Sequence, residues 1–551
     1  MTPSVRTLAR ALVVATVVVL LSTSSSTSVA AHASLDSSDP APSAILESSP
    51  SEIRLDFSEP VSPSSEAISL FDGDGSPIAA GPIGSGGSPS SIVMTDVPTL
   101  DDGTYVIAWR VVSSDGHLVQ GAFTFTIGSG TIGSGDANSI DVGELVGGVL
   151  SARNGAAGID TVLVVMRWMS FVAAVVLLGA LAFVVSPTID RARLTLPALL
   201  AAIVLGATSL VHLALQGVYL TAGGWSTMFE PGAWGDVLET RLGVGLLVRV
   251  PAAAVLGIIV LTIRRDVERA DDRVSSAWWQ STAALVSAVV LATFSMGGHP
   301  SAAPLAGVAV VVDVIHFAAV ALWIGGLVAV LIAGRGRVDA VERLSRVATW
   351  AAPIAVATGV WQTWRIGNGW SDLVDTTWGR GLLVKSAVVI VALALGGVAR
   401  LVVRQNSPSG GIGRLILTEV VVALVVLAAS AYIVGESPVV ARPPAVVSTT
   451  LVQGSTIVEL TVTPGTVGNN EIHVVVRPPG GALQRIPSLE MRATPPSDDA
   501  VPIDVAVLGA GPNHFVGRVA FVESGNWQLD ILLQSDPSSS TRLSTELAIT
   551  G

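Results

Sequence analysis

Two side chains able to bind a metal stand two residues apart in a strand-like segment. Asp115 and His117 are flanked by two runs, 105–111 and 123–127, in which apolar and polar or small residues alternate. This period of two predicts half-buried strands, and Ser114-Asp115-Gly116 predicts the turn between them. Residues two apart in an extended chain leave the same face, so carboxylate and imidazole point the same way. They are two ligands of a borderline metal site, and a third must come from elsewhere.

The N-terminal segment predicts where the third ligand comes from. Residues 1–31 have a basic start, an apolar core over 11–21, and small residues at the end, Val29-Ala30-Ala31. This pattern is typical of a secretory signal peptide and not of a retained helix. Cleavage after Ala31 makes His32 the first residue of the mature chain.

A histidine at the first position offers both its α-amine and its ring nitrogen. Together with Asp115 and His117, His32 supplies three nitrogen donors and one oxygen donor, a set that suits tetragonal Cu(II). The alternative is that His117 is a solvated hairpin residue and that the cleavage position is accidental. A histidine directly after the predicted cut favours the metal site.

Residues 32–127 resemble the copper-binding CopC domain. The resemblance is carried by three segments: His32-Ala-Ser-Leu35, 49–60, and 103–117 running on to Gly121-Ala-Phe-Thr-Phe125. It implies an Ig-like β-sandwich and places the family's Cu(II) ligands on His32, Asp115 and His117. Some relatives also have a methionine-rich Cu(I) site. Here the segment contains only Met94, so we expect no such site.

The composition predicts a multi-domain membrane protein. Of 551 residues, 50% are hydrophobic and 13% are charged, and the mean hydropathy is +0.65. These values suit a multi-pass protein with soluble appendages. Because the chain has no Cys, disulfides, iron–sulfur clusters and thiolate zinc sites are excluded. The net charge of −12 argues against a nucleic-acid partner, and without a Gly-rich phosphate loop we expect no bound nucleotide.

The central region predicts an all-α bundle of eight transmembrane helices over 161–435. Each apolar stretch is close to the roughly 20 residues that a helix needs to cross hydrocarbon. The stretches are 161–185, 195–220, 243–263, 279–299, 305–333, 347–366, 380–402 and 414–434. Arginine is concentrated in the loops after the first, third, fifth and seventh stretches. The positive-inside rule therefore predicts a plasma-membrane protein with both soluble ends outside the cytoplasm, as a cleaved signal peptide also requires.

Polar side chains inside these stretches predict a path for a metal ion. His299 lies at the outer mouth beside Met296, His212 and His316 lie deeper, and Asp313 shares a helix face with His316. Intramembrane polar residues usually face a bundle interior. The alternative is that each histidine bonds a neighbouring helix and simply holds the bundle together.

The membrane region resembles the CopD copper-resistance family. The motifs are Asp313-Val-Ile-His-Phe-Ala-Ala-Val-Ala-Leu-Trp-Ile-Gly-Gly-Leu327, Gly297-Gly-His-Pro300 and Trp378-Gly-Arg-Gly-Leu-Leu-Val-Lys385. The resemblance implies copper movement across the plasma membrane, most often uptake. No catalytic constellation is found, so we expect no enzyme. Two alternatives remain: a copper-sequestering or sensing protein that never translocates the ion, and a haem-binding electron carrier, since paired histidines ligate haem.

The remaining segments predict a linker and a second β domain. Residues 128–160 begin with a Gly/Ser-rich run typical of flexible linkers. Residues 446–551 contain alternating runs separated by Gly, Pro and Asn, which predict an extracytoplasmic all-β sandwich. It is similar to the domain that follows some CopD proteins.

Adding one residue before His32 tests the N-terminal site. We expect residues 32–127 to bind Cu(II) with a nitrogen-rich tetragonal electron paramagnetic resonance (EPR) spectrum. The extended form should bind far more weakly while keeping its fold, because its amine is displaced. Copper should also be released as the pH falls, since amine and imidazoles then take up protons. Unchanged affinity in the extended form would remove His32 from the site.

Overall fold

The computed structural model describes most of the domains and leaves out several connecting segments. The described residues are 33, 35–42, 44–113, 118–128, 156–269, 272–297, 306–334, 338–366, 372–404, 412–436, 447–453, 456–463, 465, 467–477, 488–497, 501–511, 513–536 and 539–549. The predicted signal peptide, most of the predicted linker, and four candidate ligands lie outside them: His32, Asp115, His117 and His299.

The N-terminal domain is a β-sandwich, as predicted. Its sheets have the strand orders β1-β3-β7-β6 and β2-β9-β8-β4-β5. They enclose a core that includes Ile53, Leu55 and Phe125, all fully buried. The strands are β1 Leu35–Asp39, β2 Ile45–Leu46, β3 Ile53–Phe57, β4 Val61–Phe71, β5 Pro77–Ile78, β6 Ile83–Ser85, β7 Ser91–Met94, β8 Gly103–Ser113 and β9 Leu118–Ile127.

The predicted strands on either side of residues 114–117 are confirmed. Strands β8 and β9 pair antiparallel over their whole length, and Val112 lies opposite Leu118 as their last pair. Tyr105 stacks on Phe125 with ring centroids 5.5 Å apart, as cross-strand aromatic pairs do on one sheet face. The pairing holds the ends of the segment that carries Asp115 and His117.

Ten helices lie in the described part of the central region. They are α1 Ile159–Phe183, α2 Arg191–Thr221, α3 Pro231–Leu238, α4 Arg241–Arg269, α5 Ala277–Ser295, α6 Ala306–Ala333, α7 Val338–Ile366, α8 Asp372–Asp375, α9 Thr377–Arg404 and α10 Ile412–Ile433. Of these described helices, seven are long and apolar enough to cross a bilayer. The predicted count of eight is therefore not confirmed. The sixth predicted span lies in α7, whose first half carries Glu342, Arg343 and Arg346.

Three loops lie at one end of the bundle. Arg191, at the start of α2, pairs with Asp272, which precedes α5, at 2.8 Å. The amide of Asp190 donates to the carbonyl of Ala333 at the end of α6, at 3.4 Å. The loops after α1, α4 and α6 are thus neighbours. This is the arrangement required when successive long helices cross the membrane in alternating directions.

Two glycines allow helices α1 and α6 to cross at close range. A Cβ built on Gly325 would lie 2.3 Å from the carbonyl oxygen of Val175 and 2.7 Å from the Cα of Gly179. Small residues at such crossings let membrane helices pack through their backbones.

The C-terminal region is a β-rich domain. Its strands hydrogen-bond in the order β10-β11-β12-β15-β14-β13-β16-β17. The core is centred on Trp527, which is fully buried and donates from Nε1 to the carbonyl of Glu523 at 2.9 Å. The strands are β10 Val447–Gln453, β11 Thr456–Thr463, β12 Gly468–Arg477, β13 Ser488–Thr494, β14 Ile503–Gly511, β15 His514–Phe521, β16 Gly525–Asp536 and β17 Ser539–Ile549.

Gly325→Ala tests the crossing of α1 and α6. The added methyl group meets backbone that no rotamer change can move, so we expect a loss of about 1–3 kcal/mol of stability. The measurement is the thermal unfolding midpoint in detergent. Gly397→Ala is the matched control, because nothing lies within 4 Å of its Cβ position and alanine favours a helix. Equal midpoints for both variants would contradict the close crossing.

Candidate metal centre and its approach to the membrane domain

The N-terminal domain presents its β8–β9 end to the helical bundle. Val112 and Leu118 flank the 114–117 segment and pack with Leu213, Leu220 and Val237 of the bundle in one apolar cluster. Because the candidate ligands Asp115 and His117 lie between these two residues in sequence, their segment begins and ends against the membrane domain.

A buried arginine joins the two domains. Arg110, on β8, is 4% exposed. Its Nη1 donates to Oε1 of the cross-strand Gln120 at 2.9 Å, and its Nη2 donates to the carbonyl of Tyr219 at 2.7 Å. Its guanidinium also lies 5.7 Å from the centre of the Tyr219 ring. Burial lowers the pKa of Arg110 from its usual value, which reflects the removal of the guanidinium from water.

A cavity of about 360 Å³ lies between the two domains. Its upper wall includes Ser113, the last described residue before the segment with Asp115 and His117. Its lower wall includes Met296 and Gly297, the last described residues before His299. Gln216 and Glu239 add polar atoms to the same lining. The cavity is therefore lined by the described residues that precede both segments with outer candidate ligands.

His212 lies inside the bundle with an unsatisfied ring nitrogen. It is 3% exposed, and its Nδ1 has no hydrogen-bond partner among the described residues. Gln216, one turn further along α2, hydrogen-bonds to the ring and also lines the cavity. His212 is thus one helical turn from the inter-domain cavity.

Asp313 and His316 share helix α6 but contact different neighbouring helices. Ser295 of α5 donates to Oδ2 of Asp313 at 2.5 Å. The Nδ1 of His316 hydrogen-bonds to Oγ1 of Thr358 on α7 at 3.0 Å. The two side chains therefore have different hydrogen-bond partners. Within the described residues, no group of three His, Asp or Glu is close enough to hold a metal ion.

Cations face Asp313 from two other helices. Lys385 of α9 and Arg365 of α7 are near enough for their charges to act on the carboxylate. From the sequence alone, Lys385 had no identifiable partner, because the two residues are 72 positions apart. A second arginine, Arg249, donates to Thr293 at 2.9 Å and lies over the Phe294 ring.

Three known protein families match this chain, in the same order as its domains. A CopC domain matches residues 35–128, a copper resistance protein D-like N-terminal domain matches 158–309, and copper resistance protein D matches 338–433. Copper resistance protein C of Xanthomonas campestris pv. juglandis is 38% identical over 21% of this chain and 94% of its own length. This chain belongs to the CopC–CopD copper resistance family.

One relative and one solved structure illustrate the extent of the similarity. "Copper transport protein CutJ" of Bacillus subtilis (strain 168) is 25% identical over 80% of this chain and 81% of its own length. The crystal structure of CopC from Methylosinus trichosporium OB3b covers 17% of this chain and 93% of that chain, at 34% identity and a TM-score of 0.16. The protein is a multi-pass membrane protein related to copper transport and resistance.

The methionines of the two domains have different surroundings. Met94, the only methionine of 32–127, is 5% exposed and packs in the sandwich core. Met296 of the membrane region, by contrast, lines the inter-domain cavity.

Arg110→Gln tests whether the CopC domain docks on the CopD bundle. We expect it to weaken docking by about 1.5–3 kcal/mol, the usual value of a hydrogen bond to a charged group. Because the chain has no native Cys, Ser62→Cys and Glu239→Cys across the cavity can be joined by a bismaleimide. The yield of cross-linked protein should fall in the Arg110 variant.

Arg492→Gln is the control for this cross-link. Arg492 makes the same kind of charged contact, with Asp504 at 2.7 Å, but within the C-terminal domain. Its cross-linking yield should equal that of the parent. An equal yield in the Arg110 variant would show that this contact does not hold the domains together.

Proposed function

We propose that this protein captures Cu(II) outside the cell with its CopC domain and moves copper across the plasma membrane through its CopD bundle. The observation that supports this best is the cavity between the domains. It reaches from Ser113, beside the outer ligand segment, to Met296 and Gly297 at the mouth of the bundle. A protein that only stored copper would have no need for a shared cavity at this point.

The outer site is proposed to consist of His32, Asp115 and His117. The α-amine and two imidazoles with one carboxylate suit Cu(II). The paired strands β8 and β9 hold the ends of the segment that carries two of these ligands. Relatives named as copper resistance protein C match this domain over most of their length, which supports copper as the bound ion.

The path into the bundle is proposed to run from His299 and Met296 past His212 to Asp313 and His316. An ion that crosses must meet successive weak sites, because one deep well would trap it. A copper ion at Asp313 has to compete with the charges of Lys385 and Arg365, which keeps that site weak. Met296 favours Cu(I), whereas the histidines accept either oxidation state.

The proposed orientation places both soluble domains outside the cytoplasm. The loops after α1, α4 and α6 meet at one end of the bundle, and their arginines favour the cytoplasmic side. The CopC domain contacts the last turn of α2. That turn is at the opposite end, because α2 begins beside the arginine loops.

Radiocopper flux into vesicles of known orientation tests the path. His316→Ala should abolish flux yet spare Cu(II) binding by the CopC domain, because it removes a ligand deep in the bundle. His299→Ala should slow entry more than it changes total binding. Asp313→Asn should reduce flux by weakening the site beside His316. Met296→Leu keeps the volume but removes the thioether, and Met166→Leu on α1 is its matched control.

The outcomes separate the proposed function from its alternatives. If all these variants carry copper at the parental rate, the path lies elsewhere and the residues are structural. If the parent itself moves no copper, the protein sequesters or senses copper without translocation. A Soret band in the absorption spectrum of the purified protein would instead indicate a haem-binding electron carrier.

A further inference from the structure

A carboxyl group on α10 lies inside the bundle, away from the proposed copper path. Glu419 is 5% exposed and belongs to the membrane span Gly413–Ile433. Its Oε1 has no hydrogen-bond partner among the residues that the structure describes. A buried, unpartnered carboxyl group is costly in a membrane and is therefore a functional signal.

The carboxyl group borders a small apolar cavity. The cavity has a volume of about 20 Å³, enough for about one water molecule. Apart from Glu419, its lining consists of one tryptophan and aliphatic side chains from α6, α9 and α10: Trp323, Ile324, Leu327, Val389, Ala392, Ala423 and Val426. A carboxylate charge in such surroundings is strongly disfavoured unless a cation compensates it.

None of the described basic residues of the neighbouring helices lines this cavity. On α9, Arg400 donates to Oγ1 of Thr349 at 2.9 Å. On α1, Arg167 donates to the carbonyl of Ala431, more than three turns beyond Glu419, at 3.3 Å. On α10 itself, Arg414 is exposed. The cavity lining on α6 contains no charged side chain.

Asp313 of the same bundle shows the opposite arrangement. It accepts a hydrogen bond from Ser295 and is faced by the charges of Lys385 and Arg365. Burial disfavours the charge of both carboxyl groups, but Asp313 has a hydrogen-bond donor and two cations that offset this cost, whereas the cavity beside Glu419 is lined by no such group. The two carboxyl groups therefore have different chemistry.

We propose that Glu419 is a proton-binding site. Its carboxylic acid releases a proton when the O–H bond breaks and leaves a carboxylate, and it takes the proton back in the reverse step. The adjacent cavity gives a water molecule room to receive that proton. Glu419 lies seven residues after the start of α10, about 10 Å along the helix. The proton therefore exchanges through the end of the bundle at which α9 ends and α10 begins.

Labelling with dicyclohexylcarbodiimide tests this site in the full-length protein. The reagent partitions into apolar regions and reacts with protonated carboxyl groups. We expect mass spectrometry to find it on Glu419, with the modified fraction rising severalfold as the pH falls. Glu419→Gln should remove the label, and Asp313→Asn should leave it unchanged. Exposed Glu546 should react only with a water-soluble carbodiimide.

An unlabelled Glu419 at every pH, in folded protein, would overturn the proposal, because the carboxylate would then be ionised and paired. Infrared difference spectra of the parent between two pH values give a second readout, through the carbonyl stretch of a buried carboxylic acid. Absence of that band would also overturn it, even if Glu419→Gln fails to fold. Neither measurement uses copper, so a failure here is distinct from a failure of the proposed transport.

Discussion

The contact on which the arrangement of the two domains depends is the hydrogen bond from Arg110 to the carbonyl of Tyr219. Tyr219 lies in the last turn of α2, where helix carbonyls lack partners and the helix dipole is negative. A cation from the CopC domain therefore satisfies the end of a membrane helix. Because the guanidinium is buried, losing a hydrogen-bond partner while the domains stay docked would leave a charge without water or partner, which is more costly than losing a surface ion pair.

This contact has a consequence for the chemistry. The apolar pair Val112 and Leu118 packs on the bundle beside it, so the residues on either side of the ligand segment are held against the membrane domain. A domain on a flexible linker alone would sample many positions, and transfer of an ion would depend on chance encounters. Docking removes that search, and under the proposed function the polar side chains of Gln216 and Glu239 in the cavity lining would give the ion hydrated surroundings during transfer.

The local patterns of the sequence predict the parts of this structure and not their contacts. Alternation predicts β8 and β9 because side-chain period is a local property, and hydropathy predicts seven spans for the same reason. The sixth predicted span, 347–366, is not among those seven and lies in α7, whose first half carries charged residues. Arg110 interrupts no pattern, and Lys385 looks like a snorkelling residue at a helix end. The partner of Arg110 is Tyr219, 109 positions away, and that of Lys385 is Asp313, 72 positions away. Only tertiary packing brings the members of each pair together.

The two intramembrane carboxyl groups show how the bundle can handle two kinds of cation. Asp313 has one hydrogen-bond donor, Ser295, and two nearby cations, so under the proposed function an arriving copper ion would compete with charges already present and would not be held tightly. Glu419 is surrounded by hydrocarbon, so only a cation that neutralises it fully, a proton, is accommodated there without further ligands. A copper ion at Glu419 would lack the additional donors that its coordination requires. The surroundings of each carboxyl group, and not its chemical type, therefore distinguish the proposed copper path from the proposed proton site.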